Sequence, residues 1–443
     1  MITILICKLL CKIGSWLGRG SSLPGAIALK LNKNILGKLK MPPTVIAVTG
    51  SNGKTSVTEM ICEAARAANL RVISNSEGSN QIEGVATALL KNCNLKKVVQ
   101  ADVVVLESDE RFCQYTFSKF APTHMVITNL FRDQLTRNGN PEFVFGELEK
   151  GVREETTLIL NADDPLTARF GIGKENAVWF GVDKDAFLEQ KENKHAYFDG
   201  AFCPVCKARM NYSYAVVSHL GGFECTSCGF TRACATHSVT AVEDGRLILD
   251  KDVSIKPQIL NTIFAYNIAA AFTAAVEALG LTKESAAKAL DGYSLKNDRI
   301  RSFSIEGHRG LFLLSKHENS MSYNGSLNTI VGSGSEKMTV VLIVDLLSRK
   351  YIANDMSWLW DIDFELLCDE RVERIIVGGQ FAGDMGVRLL FAGIPKERLT
   401  IEPNIDSMMA SLCANPIGDI YAMTCFTDVP KFTKRLKEGT ENG

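Results

Sequence analysis

The sequence predicts an α/β fold in which a parallel, doubly wound sheet forms the central domain and a smaller α/β domain follows it. Continuous runs of Val, Ile and Leu alternate with helical stretches, as is typical of parallel strands buried on both faces. VIAVTG (residues 45–50), DVVVLES (102–108), MVITNL (125–130) and TLILNADDP (157–165) are the strand candidates of the central domain. MTVVLIVDLL (338–347), VERIIVGGQ (372–380) and DIYAMT (419–424) are those of the second domain.

Length and composition indicate a globular protein of several domains. The chain has 443 residues, which is enough for two or three domains with their own cores. Its net charge of -1 excludes the overall basic field that a nucleic-acid partner requires. Most of the 13 cysteines stand singly in apolar surroundings, a pattern typical of reduced thiols in a cytoplasmic protein.

Changes in composition divide the chain into three parts. Residues 1–42 are an N-terminal amphipathic segment, which ends at the stiff Met41-Pro42-Pro43 sequence. The central domain covers residues 43–298, and an insertion at about 200–232 interrupts its alternation of strands and helices with cysteine pairs. The second α/β domain covers residues 299–443.

The N-terminal stretch MITILICKLLCKIGSWLG (residues 1–18) predicts an amphipathic helix. Its apolar residues recur at helical spacing on one face: Ile2, Leu5, Ile6, Leu9, Ile13, Trp16 and Leu17. Lys8 and Lys12 interrupt the apolar run, so the segment is neither a secretion signal nor a spanning helix. We expect the helix to pack on the body of the protein. The alternative is a helix on an anionic membrane surface, with Lys8, Lys12 and Arg19 towards the lipid headgroups.

A glycine-bearing loop follows the first strand of the central domain. The stretch VTGSNGKTSVTE has the Gly-Lys-Thr of a phosphate-binding loop, but Val48 replaces the first glycine of the usual pattern. Phosphates need inward backbone N–H groups, a lysine to balance charge and a hydroxyl for Mg²⁺. Four features supply them: Gly50 and Gly53 for the turn, Lys54 for the ammonium, and Thr55 or Ser56 for the hydroxyl. The alternative is a turn with a solvated lysine, which does not explain why a strand, the two glycines and Gly-Lys-Thr occur together here.

Four cysteines in the insertion stand apart from the rest. Cys203, Cys206, Cys225 and Cys228 form two C-x₂-C pairs separated by 18 residues, which is zinc-ribbon spacing. Four thiolates leave no open coordination position, so the predicted Zn²⁺ is structural. A redox pair or plain core cysteines are the alternatives, and we expect neither His219 nor Cys234 to bind the metal. Five aromatic residues are expected to pack around it: Phe202, Tyr212, Tyr214, Phe223 and Phe230.

The loop variant T-G-x-N-G-K-T resembles the ATP loop of the Mur ligases and the folylpolyglutamate synthases. The resemblance implies ATP as the nucleotide and adds Asn52 to the loop residues. It also implies that Glu107, at the end of DVVVLE, holds Mg²⁺ together with Thr55. LNADDP (160–165) and AYNIAAA (265–271) resemble further family segments, in which the asparagine, here Asn267, faces the adenine. On residue type alone, these positions are as typical of turns and helix caps.

The four-cysteine insertion narrows the resemblance to the MurT family, the Mur-ligase-like subunit of lipid II isoglutaminyl synthase. NLFRDQLTRNGN (129–140), GRGSSLPGAIALKLN (18–32) and NDMSWLWDIDFE (354–365) resemble segments of that family. The resemblance implies a GatD-like glutamine amidotransferase partner, whose cysteine and histidine release ammonia from glutamine. Asp355 would complete that triad by orienting the partner's imidazole. From the residues alone, Asp355 is predicted to be the N-cap of a tryptophan-containing helix.

The reaction implied by the resemblance is amidation of the α-carboxyl of D-glutamate in the stem peptide of lipid II. ATP converts the carboxyl into an acyl phosphate, and ammonia then gives D-isoglutamine at the inner face of the plasma membrane. Three alternatives stay open: a stand-alone Mur or folylpolyglutamate-type amino-acid ligase, a zinc-ribbon nucleic-acid binder with an ATPase motor, and a weakened paralogue that acts as an interaction subunit. KHENS (316–320) and YIAND (351–355), which depart from the family pattern, raise the last alternative.

Overall fold

The computed structural model describes residues 1–16, 22–75, 79–132, 139–186, 198–258, 260–293, 300–345, 355–425 and 428–434. Its internal contacts divide the chain into two compact units: one holds nearly all described residues up to 293, and the other holds those from 300 onwards. Five parts of the sequence motifs lie outside the described residues: the predicted boundary at 298–299, residues 133–138, residues 17–21 with Leu17 and Arg19, residues 346–347, and residues 351–354.

The first unit is built on a sheet that has nine strands within the described residues. Its strands and those of a separate hairpin are β1 (Thr44–Thr49), β2 (Val72–Ser74), β3 (Val103–Glu107), β4 (His124–Ile127), β5 (Thr157–Asn161), β6 (Val178–Val182), the hairpin β7 (Met210–Val217) and β8 (Leu220–Cys225), β9 (His237–Glu243), β10 (Arg246–Leu249) and β11 (Val253–Ile255). The sheet order is β11-β10-β9-β6-β5-β4-β1-β3-β2. The pairs from β9 to β2 are parallel and the two at the β11 edge are antiparallel. The predicted α/β fold class is therefore confirmed.

Helices pack against this sheet. They are α1 (Ile2–Trp16), α2 (Leu23–Leu31), α3 (Lys54–Ala67), α4 (Ile82–Lys91), α5 (Cys113–Phe117), α6 (Pro141–Glu149), α7 (Pro165–Ala168), α8 (Thr262–Glu277) and α9 (Lys283–Leu290). The alanine-rich α8 is buried over most of its length, because alanine lets it approach α3, β5 and β6 closely. Asn261 caps its start by accepting a hydrogen bond from the N–H of Phe264 at 2.8 Å.

Helix α1 packs against α2 and α4, but not through the face predicted from the sequence. Ile4 and Cys7 are buried in the core, and Cys11 packs partly against it. Four residues of the predicted packing face are exposed instead: Ile2, Leu5, Leu9 and Ile13. The prediction chose the wrong face because α1 is apolar on two opposite sides, and periodicity alone does not say which side is covered.

The second unit is a smaller α/β domain with helices on both faces of its sheet. Its elements are β12 (Ile300–Ile305), β13 (His308–Leu314), α10 (Ser320–Val331), β14 (Met338–Ile343), β15 (Val372–Gly378), α11 (Ala382–Phe391), β16 (Leu399–Glu402), α12 (Ile405–Ala414) and β17 (Asp419–Thr424). The order is β12-β13-β17-β14-β15-β16, antiparallel at β12–β13 and parallel elsewhere. Val340 and Leu342 of β14 enter one core, while Val341 and Ile343 enter the other, as strand alternation requires.

His237, at the start of β9, connects three parts of the first unit. Its Nδ1 lies 2.6 Å from Oδ2 of Asp250, and its Nε2 lies 3.0 Å from Oε1 of Glu277 at the end of α8. Lys283 of α9 pairs with the same Asp250 at 2.9 Å. Burial disfavours the protonated ring, but Asp250 and Glu277 outweigh this effect, so the pKa of His237 is raised above its ordinary value.

We therefore predict that His237 makes the stability of the first unit depend on pH. A group with a raised pKa stabilises the fold fully below its unfolded value of about 6.5, and this contribution is lost as pH rises through the folded value. Between about pH 6 and about pH 9, the melting temperature of the wild type should fall more than that of His237→Gln. His308→Gln is the matched control, because the Nδ1 of His308 contacts a backbone carbonyl, that of Gly418, at 2.8 Å. Equal pH slopes for the wild type and His237→Gln would contradict the prediction.

Candidate ATP site and metal centre

The glycine loop connects β1, the third strand from the β2 edge of the large sheet, to α3. Gly50 has a φ of +125° and Gly53 a φ of +86°, both in the left-handed region. A Cβ at Gly50 would lie 2.3 Å from Oγ1 of Thr128, and one at Gly53 would lie 2.1 Å from Oδ1 of Asn267. Both positions therefore require glycine for conformation and for space. Val48 is buried inside β1, so the glycine missing from the usual pattern falls before the turn begins.

The end of the neighbouring strand β4 holds this loop in place. The N–H of Ser51 donates to the carbonyl of Asn129 at 2.8 Å, and the N–H of Asn52 donates to Oδ1 of Asn129 at 3.0 Å. Thr128 Oγ1 donates to the carbonyl of Asn52 at 2.7 Å, and Ser51 Oγ exchanges hydrogen bonds with the backbone of Phe131. Ser51, Thr128 and Asn129 were not singled out from the sequence. The signal was the polar end of MVITN, since adjacent parallel strands end at the same edge.

Lys54 begins α3 and points back over the loop. Its Nζ donates to the carbonyls of Gly50 and Ser51 and lies 3.0 Å from Oε2 of Glu110, which is almost fully buried. Burial disfavours the ammonium, but the carboxylates of Glu110, Glu107 and Asp109 outweigh that effect and raise the pKa of Lys54. The lysine therefore stays charged beside the loop. Glu110, its ion-pair partner, was not predicted, because only the fold brings ESDE alongside Lys54.

Thr55 and Glu107 meet beside Lys54. Thr55 Oγ1 donates to Oε2 of Glu107 at 2.9 Å, and Nδ2 of Asn80 lies 3.3 Å from Oε1 of Glu107. The side-chain amide of Asn75 donates to the carbonyl of Glu107 at 2.8 Å and accepts from its N–H at 2.9 Å, which fixes the strand end that carries the carboxylate. A carboxylate and a hydroxyl are hard oxygen donors, so these side chains fit Mg²⁺. Ser56 lies in the same first turn of α3.

Asn267 lies on α8 and is nearly buried, with its amide against Gly53. The structure thus brings it to the loop residues, although its predicted role towards the adenine stays a prediction. The preceding Tyr266 donates its hydroxyl to Oδ2 of the buried Asp163 at 2.7 Å. Asn267 therefore stands on a rigid part of the helix, where it helps to fix the loop.

The four predicted zinc ligands form one cluster. The sulfurs of Cys203, Cys206, Cys225 and Cys228 all lie within 4.8 Å of one another, with Cys203–Cys228 at 3.7 Å and Cys206–Cys225 at 3.4 Å. Four sulfurs at about 2.3 Å from one zinc are about 3.8 Å apart in a tetrahedron, so the donor set fits Zn²⁺. Backbone N–H groups of Cys228 and Ser227 point at Sγ of Cys225 and lower the pKa of that thiol, which favours the thiolate that binds metal.

The aromatic residues of the insertion were predicted with partial success. Phe223 is buried beside the cluster, and Tyr212 and Phe230 pack against it. Phe202 is 54% exposed, so it takes no part in that core. His219 is fully buried, with Nε2 3.3 Å from Oδ1 of Asp164.

Adjacent buried aspartates of the LNADDP segment attach the cysteine hairpin to the sheet. Asp163 Oδ1 accepts from Nε of Arg232 at 2.6 Å, and the carbonyl of Asp163 accepts from the N–H of Gly221 at 2.8 Å. Asp164 caps α7 by accepting from the N–H of Leu166 at 2.9 Å. The sequence analysis noted this segment only for its resemblance to a family segment. The structure shows that it connects the cysteine hairpin to the sheet.

Asp355 lies in the second unit, at the start of an irregular stretch. Its Oδ1 accepts a hydrogen bond from the N–H of Ser357 at 2.8 Å, which lowers the pKa of this exposed carboxyl. The predicted tryptophan-containing helix is a pair of short 3₁₀ turns, Ser357–Asp361 and Phe364–Cys368. The N-cap residue of the first turn is Met356, so the predicted cap was wrong by one position, and Asp355 bonds to Ser357 from just before the cap.

Two buried residues fix the stretch that follows Asp355. Trp358 packs between the rings of His317 and Tyr323, at 5.8 and 5.1 Å between centroids. Arg388 of α11 is 5% exposed and donates to the carbonyls of Leu359 and Ile362 at 3.1 and 2.7 Å. Arg388 was not predicted, because nothing in FAGDMGVRLL marks one arginine as buried.

Comparison with known proteins agrees with both halves of this description. The model of the Mur ligase middle domain matches residues 48–223, and the model of the MurT ligase C-terminal domain matches residues 316–429. A Staphylococcus aureus (strain COL) protein, the lipid II isoglutaminyl synthase (glutamine-hydrolyzing) subunit MurT, is 29% identical over 96% of this chain and 94% of its own. The subunit of the same name from Streptococcus pneumoniae is also 29% identical, over 95% and 93%. The chain belongs to the MurT family.

Solved structures place this MurT family member among the Mur ligase folds. A pseudomurein peptide ligase type C from Methanothermus fervidus superimposes with a TM-score of 0.68 at 22% identity, over 92% of this chain and 81% of its own. The MurF ligase from Thermotoga maritima, solved in complex with ADP, gives 0.57 at 16% identity, over 94% and 84%. These similarities show the fold, so the MurT assignment itself depends on the relatives and family models.

For the metal centre, we predict about one zinc per chain in protein purified without chelator. Cys206→Ser should bind well under half of that amount and melt at a lower temperature, because the hairpin has few other buried residues to hold it. Cys234→Ser is the matched control, since Cys234 is exposed and lies outside the cluster. Elemental analysis and thermal melting check both variants. A full zinc complement in Cys206→Ser would show that the four sulfurs do not act as one site.

For the ATP site, we predict that replacing Lys54 weakens binding of Mg²⁺–ADP by about ten-fold or more, since one charge-assisted contact is lost. Lys54→Met alone leaves Glu110 buried without its ammonium, so the better variant is Lys54→Met/Glu110→Gln, which removes both charges. Lys150→Met, at an exposed lysine, is the control. Titration calorimetry measures the affinity. A double variant that melts like the wild type and binds nucleotide equally well would disprove the role of Lys54.

Proposed function

We propose that this chain is the ATP-dependent subunit of a two-subunit amidotransferase acting on lipid II. It converts the α-carboxyl of D-glutamate in the stem peptide into the amide of D-isoglutamine, at the cytoplasmic face of the membrane. The ammonia comes from glutamine hydrolysed by a GatD-like partner. The observation that carries the proposal is the match, over nearly the full length of both chains, to a subunit that bears this name.

The first unit supplies the activation step of the proposed reaction. A carboxylate oxygen of the substrate attacks the γ-phosphorus of ATP, the bond to the β–γ bridging oxygen breaks, and ADP leaves. Lys54 and the N–H groups at the start of α3 would balance the charge of the transferred phosphoryl group. Thr55 and Glu107 would hold Mg²⁺, which would offset negative charge on the phosphates. Ammonia then adds to the acyl carbon, phosphate leaves, and the nitrogen loses a proton to water.

The second unit supplies the partner surface. Asp355 is exposed and ionised, and it stands on a stretch that buried Trp358 and Arg388 hold in place. A carboxylate fixed in this way is suited to orient a histidine of a partner. Trp360 and Phe391 are exposed with their rings in contact at 5.4 Å, and Val387 on α11 is exposed as well. An exposed aromatic pair, one member of which lies five residues after Asp355 in the chain, favours a protein interface.

The departures from the family pattern are compatible with a folded second unit. His317, within KHENS, is buried, with Nδ1 2.8 Å from the hydroxyl of Tyr323 and Nε2 3.3 Å from Asp428. It therefore belongs to a packed polar network below Trp358. The network gives the KHENS segment a structural task, so its departure does not by itself argue for a weakened paralogue.

The proposed triad predicts that Asp355→Asn lowers the glutaminase rate of the complex by about two to four orders of magnitude. Asparagine still accepts the hydrogen bond from Ser357, so the turn and the complex should remain intact. Asp406→Asn is the control, at an exposed acid of α12 in the same unit. Ammonia release by the complex with the GatD-like partner is the measurement. An unchanged rate in Asp355→Asn would refute the triad assignment.

The nucleotide-site variant separates the two half-reactions. Lys54→Met/Glu110→Gln should retain the capacity to form the complex but should not amidate lipid II, even with ammonium supplied. Peptide extension by the chain alone with ATP and an amino acid would instead support a stand-alone ligase.

A further inference from the structure

The outer face of α1 is an exposed apolar stripe. Ile2, Leu5, Leu9 and Ile13 are 71%, 48%, 58% and 45% exposed, respectively. They follow one another at intervals of three or four residues, so they form a line about 16 Å long on one side of the helix. Ile4 and Cys7, on the opposite side, anchor the helix in the core. The stripe is thus part of an ordered helix, and water faces four large apolar side chains.

The charge around this stripe has one sign. Residues 1–42 contain seven basic residues and no Asp or Glu, and the first acidic residue of the chain is Glu59: the seven are Lys8, Lys12, Arg19, Lys30, Lys33, Lys38 and Lys40. The whole chain has a net charge of -1, so the rest of the sequence is net negative. Lys12 is exposed on α1 itself, at the edge of the stripe. Lys12 therefore places positive charge at the edge of the exposed apolar side chains, in a segment without acidic residues.

These observations together identify the kind of surface that covers the stripe. In a contact of stripe on stripe, residues 1–42 of both copies would carry only basic side chains, and like charges at close range oppose association. An anionic lipid surface offers both an apolar layer for Leu5 and Leu9 and phosphate groups for Lys12. No helix among the described residues is long and apolar enough to cross a membrane, so the contact is at the surface.

We propose that the exposed stripe of α1 binds the surface of an anionic lipid bilayer, with Ile2, Leu5, Leu9 and Ile13 among the acyl chains and the neighbouring basic residues at the headgroups. The helix lies parallel to the bilayer, because its inner face stays packed on α2 and α4. This attachment does not depend on the proposed amidotransferase reaction, and it is tested without substrate, nucleotide or partner.

The test is co-sedimentation of the full chain with lipid vesicles. One set contains phosphatidylcholine alone, and the other contains phosphatidylcholine with about one-third phosphatidylglycerol, which gives the strongly anionic surface that basic residues require. Wild-type protein should sediment with the anionic vesicles and much less with the neutral ones, and added salt should weaken the binding. Leu9→Glu should reduce the partition coefficient by about ten-fold or more, because it removes an apolar side chain proposed to enter the acyl layer and adds a charge that the anionic surface repels. Ile172→Glu is the matched control, since Ile172 is 54% exposed, close to the 58% of Leu9, and lies elsewhere on the same unit.

Each outcome decides for or against the lipid surface. Loss of binding in Leu9→Glu with full binding in Ile172→Glu supports it, provided that both variants melt like the wild type. Failure of the wild type to bind anionic vesicles, or equal binding by Leu9→Glu, overturns it. A dimer of the wild type that light scattering detects and Leu9→Glu dissociates would show that a second copy covers the stripe, and would also overturn it.

Discussion

A single buried carboxylate, Asp163, connects the sheet, the cysteine hairpin and helix α8. Its two oxygens accept hydrogen bonds from Val182, Arg232 and Tyr266, at 2.8, 2.6 and 2.7 Å. Burial raises the pKa of Asp163 although the guanidinium of Arg232 opposes that effect. A carboxylate buried this deeply depends on all its hydrogen-bond partners. Removing one partner of a buried ion pair typically lowers the free energy of unfolding by about 3–5 kcal/mol, because the remaining charge is left uncompensated. The position of α8 is therefore tied to the hairpin that carries the four sulfurs.

Asp163 also affects the nucleotide loop, through two consecutive residues of α8. Tyr266 is held by Asp163, and the next residue, Asn267, contacts Gly53 so closely that no Cβ fits there. On its other side the loop is bonded to the end of β4 through Asn129. The loop is thus confined between a helix and a strand end before any ligand arrives. Such preorganisation is what a phosphate site requires, since its N–H groups need not reorganise when charge develops.

The features that could be predicted from the sequence are those whose residues lie close together in the chain. The parallel strands, the Gly-Lys-Thr turn and the cysteine pairs each lie within a short stretch, and the structure has all of them. The contacts that Glu110, Asp163 and Arg388 make were not predicted, because the residues they contact are 20 or more positions away in the chain. The helix expected after Asp355 was wrong for a related reason. Tertiary packing of Trp358 and the carbonyl contacts of Arg388 favour tight 3₁₀ turns over a regular helix in that stretch.

The missed face of α1 has a specific structural cause. Helix α2 lies so close to α4 that a Cβ at Gly25 would be 2.0 Å from the carbonyl oxygen of Glu83, and the N–H of Gly25 donates to Oγ1 of Thr87 at 2.9 Å. This tight layer accepts one face of α1, the one with Ile4 and Cys7, and is filled by it. The larger apolar residues on the other face then have no place in the core. A helix of a protein that never meets a second apolar surface has no reason to carry leucines there, since exposed apolar stripes favour aggregation. The two-faced composition of α1 is therefore best explained by two different surroundings, a protein core on one side and an apolar layer outside the chain on the other.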